Sequence, residues 1–336
     1  MPASANSLRW SGQPGHYEVY YVTLTEPSTG VGLWIRYTMV APKPGGEPPT
    51  CSLWFLAMDP RPGASTPVGR KASFGIDQLS AQPDPFELRI GEAVLSDAGM
   101  SGRFEDVAWE LSWTPAPRAY ESVHPMLQRL GAAQTVLVLP HADVSIDGHV
   151  TIGEERIEVA GVRGGQAHLW GSKHARSWAW VHCNDFVDRQ GQPVPDTFID
   201  GVSVVVSRLG REVGPSTPVV ARIWDHDFLS TSPPRILRNR SEFELSGWRF
   251  EARDRRYRLV GRVEAQPHQL AGVTYHDPDG ELAYCYNSEI ASLQLEVYDR
   301  ARSGGTEPTA TLASSGRAHF EYAQRTPVSG VELLTR

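Results

Sequence analysis

Gln166-Ala-His-Leu-Trp-Gly-Ser-Lys-His-Ala-Arg-Ser-Trp-Ala-Trp-Val-His-Cys-Asn-Asp-Phe186 is the stretch that decides how the 336-residue chain is read. As an extended strand its side chains alternate between two faces. The even face carries His174, Arg176, Trp178, Trp180, His182, Asn184 and Phe186, and the odd face carries Ala175, Ser177, Ala179, Val181, Cys183 and Asp185. A solvent-facing strand would carry charges, and a plain core face would carry Val, Ile and Leu. Aromatic walls mixed with a few polar groups are what a ligand cavity needs. Trp and His can also fill a barrel interior, with their N–H groups bonded to backbone, so both readings stand for this face.

Outward from this segment the pattern is strand after strand. His16–Leu24 is rich in β-branched and aromatic residues, Glu26–Gly30 has turn chemistry, and Val31–Val40 reads as the returning strand. Further strands fit Cys51–Met58, Phe86–Leu95, Gly102–Trp113, Thr135–Leu139 and His149–Ala160. In the second half they fit Ser177–Phe186, Gly201–Arg208, Pro218–Trp224, Phe243–Glu251, Arg256–Glu264, Glu281–Tyr286 and Ser292–Tyr298. Only Glu121–Leu130 and Asn287–Leu293 look helical. Short strands between Gly/Pro turns predict an all-β protein of antiparallel barrels or sandwiches with little helix.

Length predicts two units rather than one. Phe86-Glu-Leu is echoed by Phe243-Glu-Leu, and Gly102-Arg-Phe-Glu by Gly261-Arg-Val-Glu, in the same order and at nearly equal offsets. The same offset sets His16–Leu24 opposite Arg176–Asn184. Two similar β domains, 1–165 and 166–336, are therefore expected, with Gly161-Val-Arg-Gly-Gly165 as the break.

Composition narrows the function. Thirty-two basic against 39 acidic residues leave a net charge of −7, the wrong balance for a nucleic-acid binder that must neutralise phosphates. The one dense basic run, Arg253–Arg258, is interrupted by Asp254 and reads as a solvated hairpin turn. Cys51, Cys183 and Cys285 have neither zinc spacing nor an even count. The N-terminus lacks an apolar signal region, and runs such as Thr135–Leu139 are far too short to span a membrane as a helix. A cytoplasmic protein with no transmembrane segment is expected. A transient membrane association and the oligomeric state stay open.

Catalytic signatures are sparse. His174 and His182 share a face but stand about 27 Å apart along a regular strand, too far for one metal. Trp224-Asp-His-Asp-Phe228 puts its acids and its His on opposite faces, and Tyr275-His-Asp-Pro-Asp-Gly280 reads as a β-turn. No metal and no cofactor are expected: ligand spacings, phosphate loop and nucleophile elbow are all missing. Glu18, Glu110, Asp185, Asp225, Asp227 and Glu289 are available acids that sequence alone does not pair.

Gly165-Gln-Ala-His-Leu-Trp-Gly171 with Trp178-Ala-Trp-Val-His-Cys-Asn-Asp-Phe186 resembles the central signature of the carotenoid 1,2-hydratase (hydroxyneurosporene synthase) and tocopherol-cyclase-like superfamily. Tyr17–Leu24 with Gly32–Thr38 resembles the family's first hairpin, and smaller patches follow in order at Ser52–Phe55, Phe74–Ile76, Ser101–Arg103, Trp109–Trp113, Tyr275–Gly280 and Cys285–Ser288. The resemblance implies two tandem lipocalin-like domains and a hydrophobic, isoprenoid or polyketide-like substrate. It implies hydration or cyclisation of an alkene, or a cycloaddition directed by shape. Between the glycine turn and Asn-Asp-Phe this chain reads His-Ala-Arg-Ser-Trp-Ala-Trp, less acidic than the hydratase pattern.

The leading expectation is an enzyme that cyclises, hydrates or isomerises an apolar alkene-bearing small molecule. Such chemistry needs a desolvated acid and aromatic faces for developing positive charge. Asp185, His182 and His174 are the candidate acids or hydrogen-bond donors. Trp178, Trp180, Trp34 and Trp54 are the candidate walls, with Tyr20, Asn184 and Phe186 as further lining. A non-catalytic carrier or sensor of a lipophilic ligand is the alternative, and a carbohydrate-binding or carbohydrate-cleaving β protein is the third. The first outranks the second only through the resemblance.

Overall fold

The computed structural model describes residues 4–64, 66–124, 126, 128, 133–208, 210–301 and 307–335. Their regular secondary structure is almost all strand, with helix limited to short turns such as Ile76–Gln78, Pro233–Ile236 and Pro267–Gln269. The first half forms β1 (His16–Thr25), β2 (Gly32–Ala41), β3 (Thr50–Met58), β4 (Val68–Gly75), β5 (Leu79–Pro83), β6 (Phe86–Ile90), β7 (Ala93–Ser96), β8 (Gly99–Phe104), β9 (Val107–Trp113), β10 (Tyr120–Glu121), β11 (Thr135–Ile152) and β12 (Glu155–Gly171). The second forms β13 (Ser177–Cys183), β14 (Thr197–Arg208), β15 (Arg211–Ser216), β16 (Val219–Ile223), β17 (His226–Ser230), β18 (Arg240–Glu244), β19 (Gly247–Arg253), β20 (Tyr257–Glu264), β21 (Ala271–His276), β22 (Leu282–Asp299), β23 (Ala310–Gln324) and β24 (Leu333–Thr335).

Each half is its own sheet, and the two share one strand order. The first runs β4-β3-β2-β1-β12-β11-β9-β8-β7, extended by β6 and β5, and the second runs β17-β16-β14-β13-β23-β22-β20-β19-β18. β10 pairs with β11 as β21 pairs with β22. β1 therefore corresponds to β13, in keeping with the alignment of the two aromatic strands. The short echoes do not mark this correspondence. Gly102 lies in β8 and Gly261 in β20, whose counterpart is β9.

Alternation on the central strands builds three cores. Tyr20, Val22 and Leu24 of β1 point into the first sheet's interior, with Phe55, Trp109 and Ile146. Ala179, Val181 and Cys183 of β13 point into the second interior, with Trp248, Leu259 and Phe320. The opposite faces meet: Tyr17, Val19 and Tyr21 pack in one cluster with Trp178, Trp180, Tyr275 and Cys285. All ten residues of β1 are buried because both of its faces are covered. All three cysteines are buried free thiols.

Several sequence readings change. Phe86–Leu95, Gly102–Trp113 and Phe243–Glu251 each contain a hairpin turn rather than one strand. Gly161–Gly165 is not a break but lies inside β12, and the chain passes from one sheet to the other between Gly171 and Ser177. Glu121–Leu130 begins in β10 and lies partly outside the described residues. Asn287–Leu293 is strand, not helix, because it is the middle of the 18-residue β22. Register shifts fall between Ser288 and Ala291 and between Ala291 and Leu293. They interrupt the alternation by which a strand is recognised, so Cys285 faces the shared interface and Leu293 the second interior.

Gly165 has a packing role. A Cβ there would stand 2.4 Å from His182 Nε2, so the first sheet admits the imidazole only where it carries no side chain. Glu18 ties the N-terminal segment down. Its carboxylate accepts from the Arg9 and Trp10 backbone N–H groups at 2.8 and 2.9 Å, from His16 and His168 at 3.0 and 2.8 Å, and from the Tyr20 hydroxyl at 2.9 Å. Burial alone would raise its pKa, but the bonds from His16, His168 and Arg9 prevail and hold it at about 2.

Gly165→Ala is expected to lower stability by about 1–3 kcal/mol through overpacking against His182, read as the shift of a denaturant midpoint. Glu18 releases its proton more readily folded than unfolded, so its stabilisation is present above pH ~4.5 and is lost as pH falls toward ~2. Glu18→Gln should cost about 3 kcal/mol at neutral pH and flatten the acid limb of a pH–stability curve.

Candidate functional site at the interface of the two sheets

The register of the central strands lines up a row of titratable side chains on the face of the second sheet that meets the first. His182 on β13 lies opposite Asp200 on β14 and opposite His319 on β23. Beyond β23, β22 carries Glu289 at its register shift. His182 Nδ1 is 3.3 Å from Asp200 Oδ2, which also accepts the Trp180 indole N–H at 3.0 Å. His319 Nδ1 is 2.7 Å from Glu289 Oε2, and the His182 and His319 rings stand 6.5 Å apart. All four side chains are buried. A parallel row places Trp180 opposite Glu321, whose carboxylate accepts the Trp178 N–H at 3.3 Å.

The first sheet answers with its own row. Tyr21, Arg36, Trp54 and Lys71 are cross-strand neighbours on β1 to β4. Tyr21 meets Trp180 edge to face at 5.5 Å. Aromatic rings and aliphatic side chains such as Val19, Leu56 and Ile290 pack together around the two rows.

Burial decides the protonation states. It pushes the Glu289 carboxyl up to about 8 and the His319 imidazole well below its usual range. Burial therefore favours the neutral form of both partners in this contact. Burial also raises Glu321, against the lowering effect of Arg36 and the Trp178 bond. His182 Nδ1 faces Asp200, and its other ring nitrogen, Nε2, is buried without a hydrogen-bond partner among the described residues.

The other half holds Glu289 in place. Thr25 Oγ1 donates to the Glu289 carbonyl at 3.2 Å, and the Glu289 N–H donates to Met58 Sδ at 3.3 Å. Gly32 lets the strands approach this closely, since a Cβ there would stand 2.2 Å from the Glu289 carbonyl oxygen.

The structure brings together five of the expected residues, His182, Trp178, Trp180, Trp34 and Trp54, at this interface. His174 lies at one end of it, stacked on Tyr17 at 4.3 Å and bonded to Asp277 at 2.6 Å. Asn184 donates to Asp143 and to the Gly164 carbonyl beside it. Three residues lie elsewhere. Asp185 is 30% exposed and paired with Arg317 at 2.6 Å. Phe186 packs in the second interior because β13 ends at Cys183 and the alternation stops there. Tyr20 faces the first interior, where it stacks on His168.

Sequence reading missed Asp200, Arg36, His319 and Glu321 and did not single out Glu289. Arg36 and Asp200 had a signal: each is a lone charge inside an apolar strand run. A surface cleft of about 640 Å³ at the end of the first sheet is lined by Asp59, Arg61, Arg70, Asp106 and Glu155. Its charges pair with one another, and none of the expected site residues lines it.

Since folded Glu289 keeps its proton up to pH ~8 and unfolded Glu289 loses it near 4.5, the folded state holds more protons between these values. Stability from this group therefore falls as pH rises across that window. Glu289→Gln should remove several kcal/mol of that slope, read from denaturant melts between pH 5 and 8.

No family model matches the chain. Two curated Mycobacterium tuberculosis proteins do, Rv0493c of strain H37Rv and MT0513 of strain CDC 1551, both uncharacterized. Each is 32% identical over 301 residues, covering 88% of this chain and 86% of its own. Among solved structures, an AttH-named protein of Nitrosomonas europaea aligns with TM-score 0.57 at 14% identity, covering 97% of this chain and all of its own. Kievitone hydratase of Nectria haematococca aligns with TM-score 0.51 at 9% identity over 93% of this chain and 90% of its own. At such identities the likeness is one of fold, and the fold is the all-β, lipocalin-like build that the sequence predicts.

Proposed function

The chain belongs to the family of these two mycobacterial proteins, and on that premise we propose that it is an enzyme which protonates an alkene in a hydrophobic small molecule at the interface of its two sheets. The observation that carries the reading is Glu289, a carboxyl buried at the interface 2.7 Å from the buried His319 imidazole, where burial pushes it up to about 8. Kievitone hydratase, which shares the fold at low identity, adds support by analogy alone.

The proposed steps follow the two rows. Glu289 donates its proton to one alkene carbon, and positive charge develops on the other. The faces of Trp180, Trp178, Tyr21 and Trp34 stabilise that charge by about 0.5–2 kcal/mol each. In hydration, water adds to the cation and its proton passes to His182 Nε2, while Asp200 holds the ring through Nδ1. In cyclisation a second alkene of the substrate attacks the cation and the new cation loses a proton to His182, and in isomerisation the first cation loses its proton to His182 directly. After product release His182 gives up the proton it took to solvent and the Glu289 carboxylate takes one back from solvent, so both groups end the turnover as they began it, with Glu289 again 2.7 Å from His319.

A glycan groove would need open Trp faces. Trp34, Trp54, Trp178 and Trp180 are all buried, which disfavours the carbohydrate reading.

The test incubates the protein with a panel of isoprenoid and polyene alkenes and reads products by mass spectrometry. Hydration adds one water, while cyclisation keeps the mass and changes retention. Glu289→Gln and His182→Ala should each lower turnover about 100-fold or more, with the wild-type rate falling as pH rises past ~8. Ligand recovered unchanged from the whole panel, with equal binding by wild type and Glu289→Gln, would make the protein a carrier instead.

A further inference from the structure

Arg36 is the feature that acid catalysis leaves unused. Its side chain is buried, with the residue 5% exposed, yet its contacts are with rings. The guanidinium carbon lies 4.1 Å from the Tyr275 ring centre, 5.4 Å from Trp34 and 5.7 Å from Trp54. Its Nε has no hydrogen-bond partner among the described residues. Aromatic faces soften the burial of a cation, but a desolvated guanidinium ordinarily takes a carboxylate on its planar fork.

Two neutral donors around it are in the same condition. Trp34 Nε1 and the Tyr275 hydroxyl are buried and lack partners among the described residues. The thiol beside Tyr275, that of Cys285, is only a weak acceptor. Glu321 feels the Arg36 charge through space, but its carboxyl oxygen takes the Trp178 N–H. A second cation adds to the first. Lys71 Nζ lies 4.4 Å from the Trp54 ring centre, and half-buried Lys71 extends the positive corner toward solvent. Three donors and two cations thus converge, and among the described residues the three donor atoms meet no acceptor stronger than the Cys285 thiol.

We infer that this corner binds the carboxylate head of an otherwise apolar molecule, with Arg36 as counter-ion, Trp34 and Tyr275 as added donors, and Lys71 at the mouth. The inference rests on the interface being the substrate site, and it names the substrate class: an unsaturated acid rather than a plain hydrocarbon. With its head at Arg36, the chain of the acid would run between the aromatic faces toward Glu289 and His182.

The test measures binding of three matched probes, farnesoic acid, its methyl ester and farnesene, by quenching of tryptophan fluorescence. Wild type should bind the acid about tenfold or more tighter than either neutral probe, the range of one charged hydrogen-bonded contact. Arg36→Met should erase the preference and keep farnesene binding, and Arg36→Lys should retain part of it. A purely structural Arg36 would lower Tm on loss. A ligand-holding one, left as an unpaired buried charge, should give Arg36→Met a Tm higher by roughly 2–5 °C. Equal binding of acid and ester, a preference that survives Arg36→Met, no binding of any probe, or a lowered Tm in Arg36→Met would each overturn the inference. The same probes with Glu289→Gln separate the two readings, because the acid preference should persist there even if Glu289 proves not to be the catalytic acid.

Discussion

Two strands must satisfy two cores at once, and the rest of the molecule follows from that constraint. β1 and β13 each wall their own interior with one face and build the shared interface with the other. Neither face can be given to solvent-friendly residues. Sidedness is therefore expressed in size and polarity: small residues inward on β13, aromatic and hydrogen-bonding ones outward. Ala179, Val181 and Cys183 make room within, while Trp178, Trp180 and His182 reach across. An interface built this way buries polar groups that would otherwise be hydrated, and their pKa values move as a result.

The same desolvation acts differently on the two principal acids. Glu18 is surrounded by five donors and stays ionised as a structural anchor. Glu289 meets one imidazole that burial also keeps neutral. Donor count, more than depth, separates a carboxylate that holds a fold together from a carboxyl that retains a proton.

Much of the fold was legible in the sequence because alternation survives wherever a strand is regular. The all-β class, the first hairpin, the likeness of β1 to β13 and the aromatic face of β13 all rest on period two. Legibility ended where that period broke. The register shifts in β22 made Asn287–Leu293 look helical and hid the importance of Glu289. The end of β13 at Cys183 moved Phe186 into the second interior and left Asp185 facing Arg317. The site suffered more than the fold, since a row such as Asp200–His182–His319–Glu289 runs across strands far apart in sequence. No local pattern encodes that row; only pairing register does.

Gly32 and Gly165 sit in the first sheet, yet the atoms that need their missing side chains, the Glu289 carbonyl and the His182 ring, belong to the second. Each half is shaped around groups that the other supplies. The two sheets are therefore not interchangeable modules despite their common strand order. A half taken from a distant relative would bring its own side chains to these two points, and the seam would be displaced before any residue of the candidate site had changed.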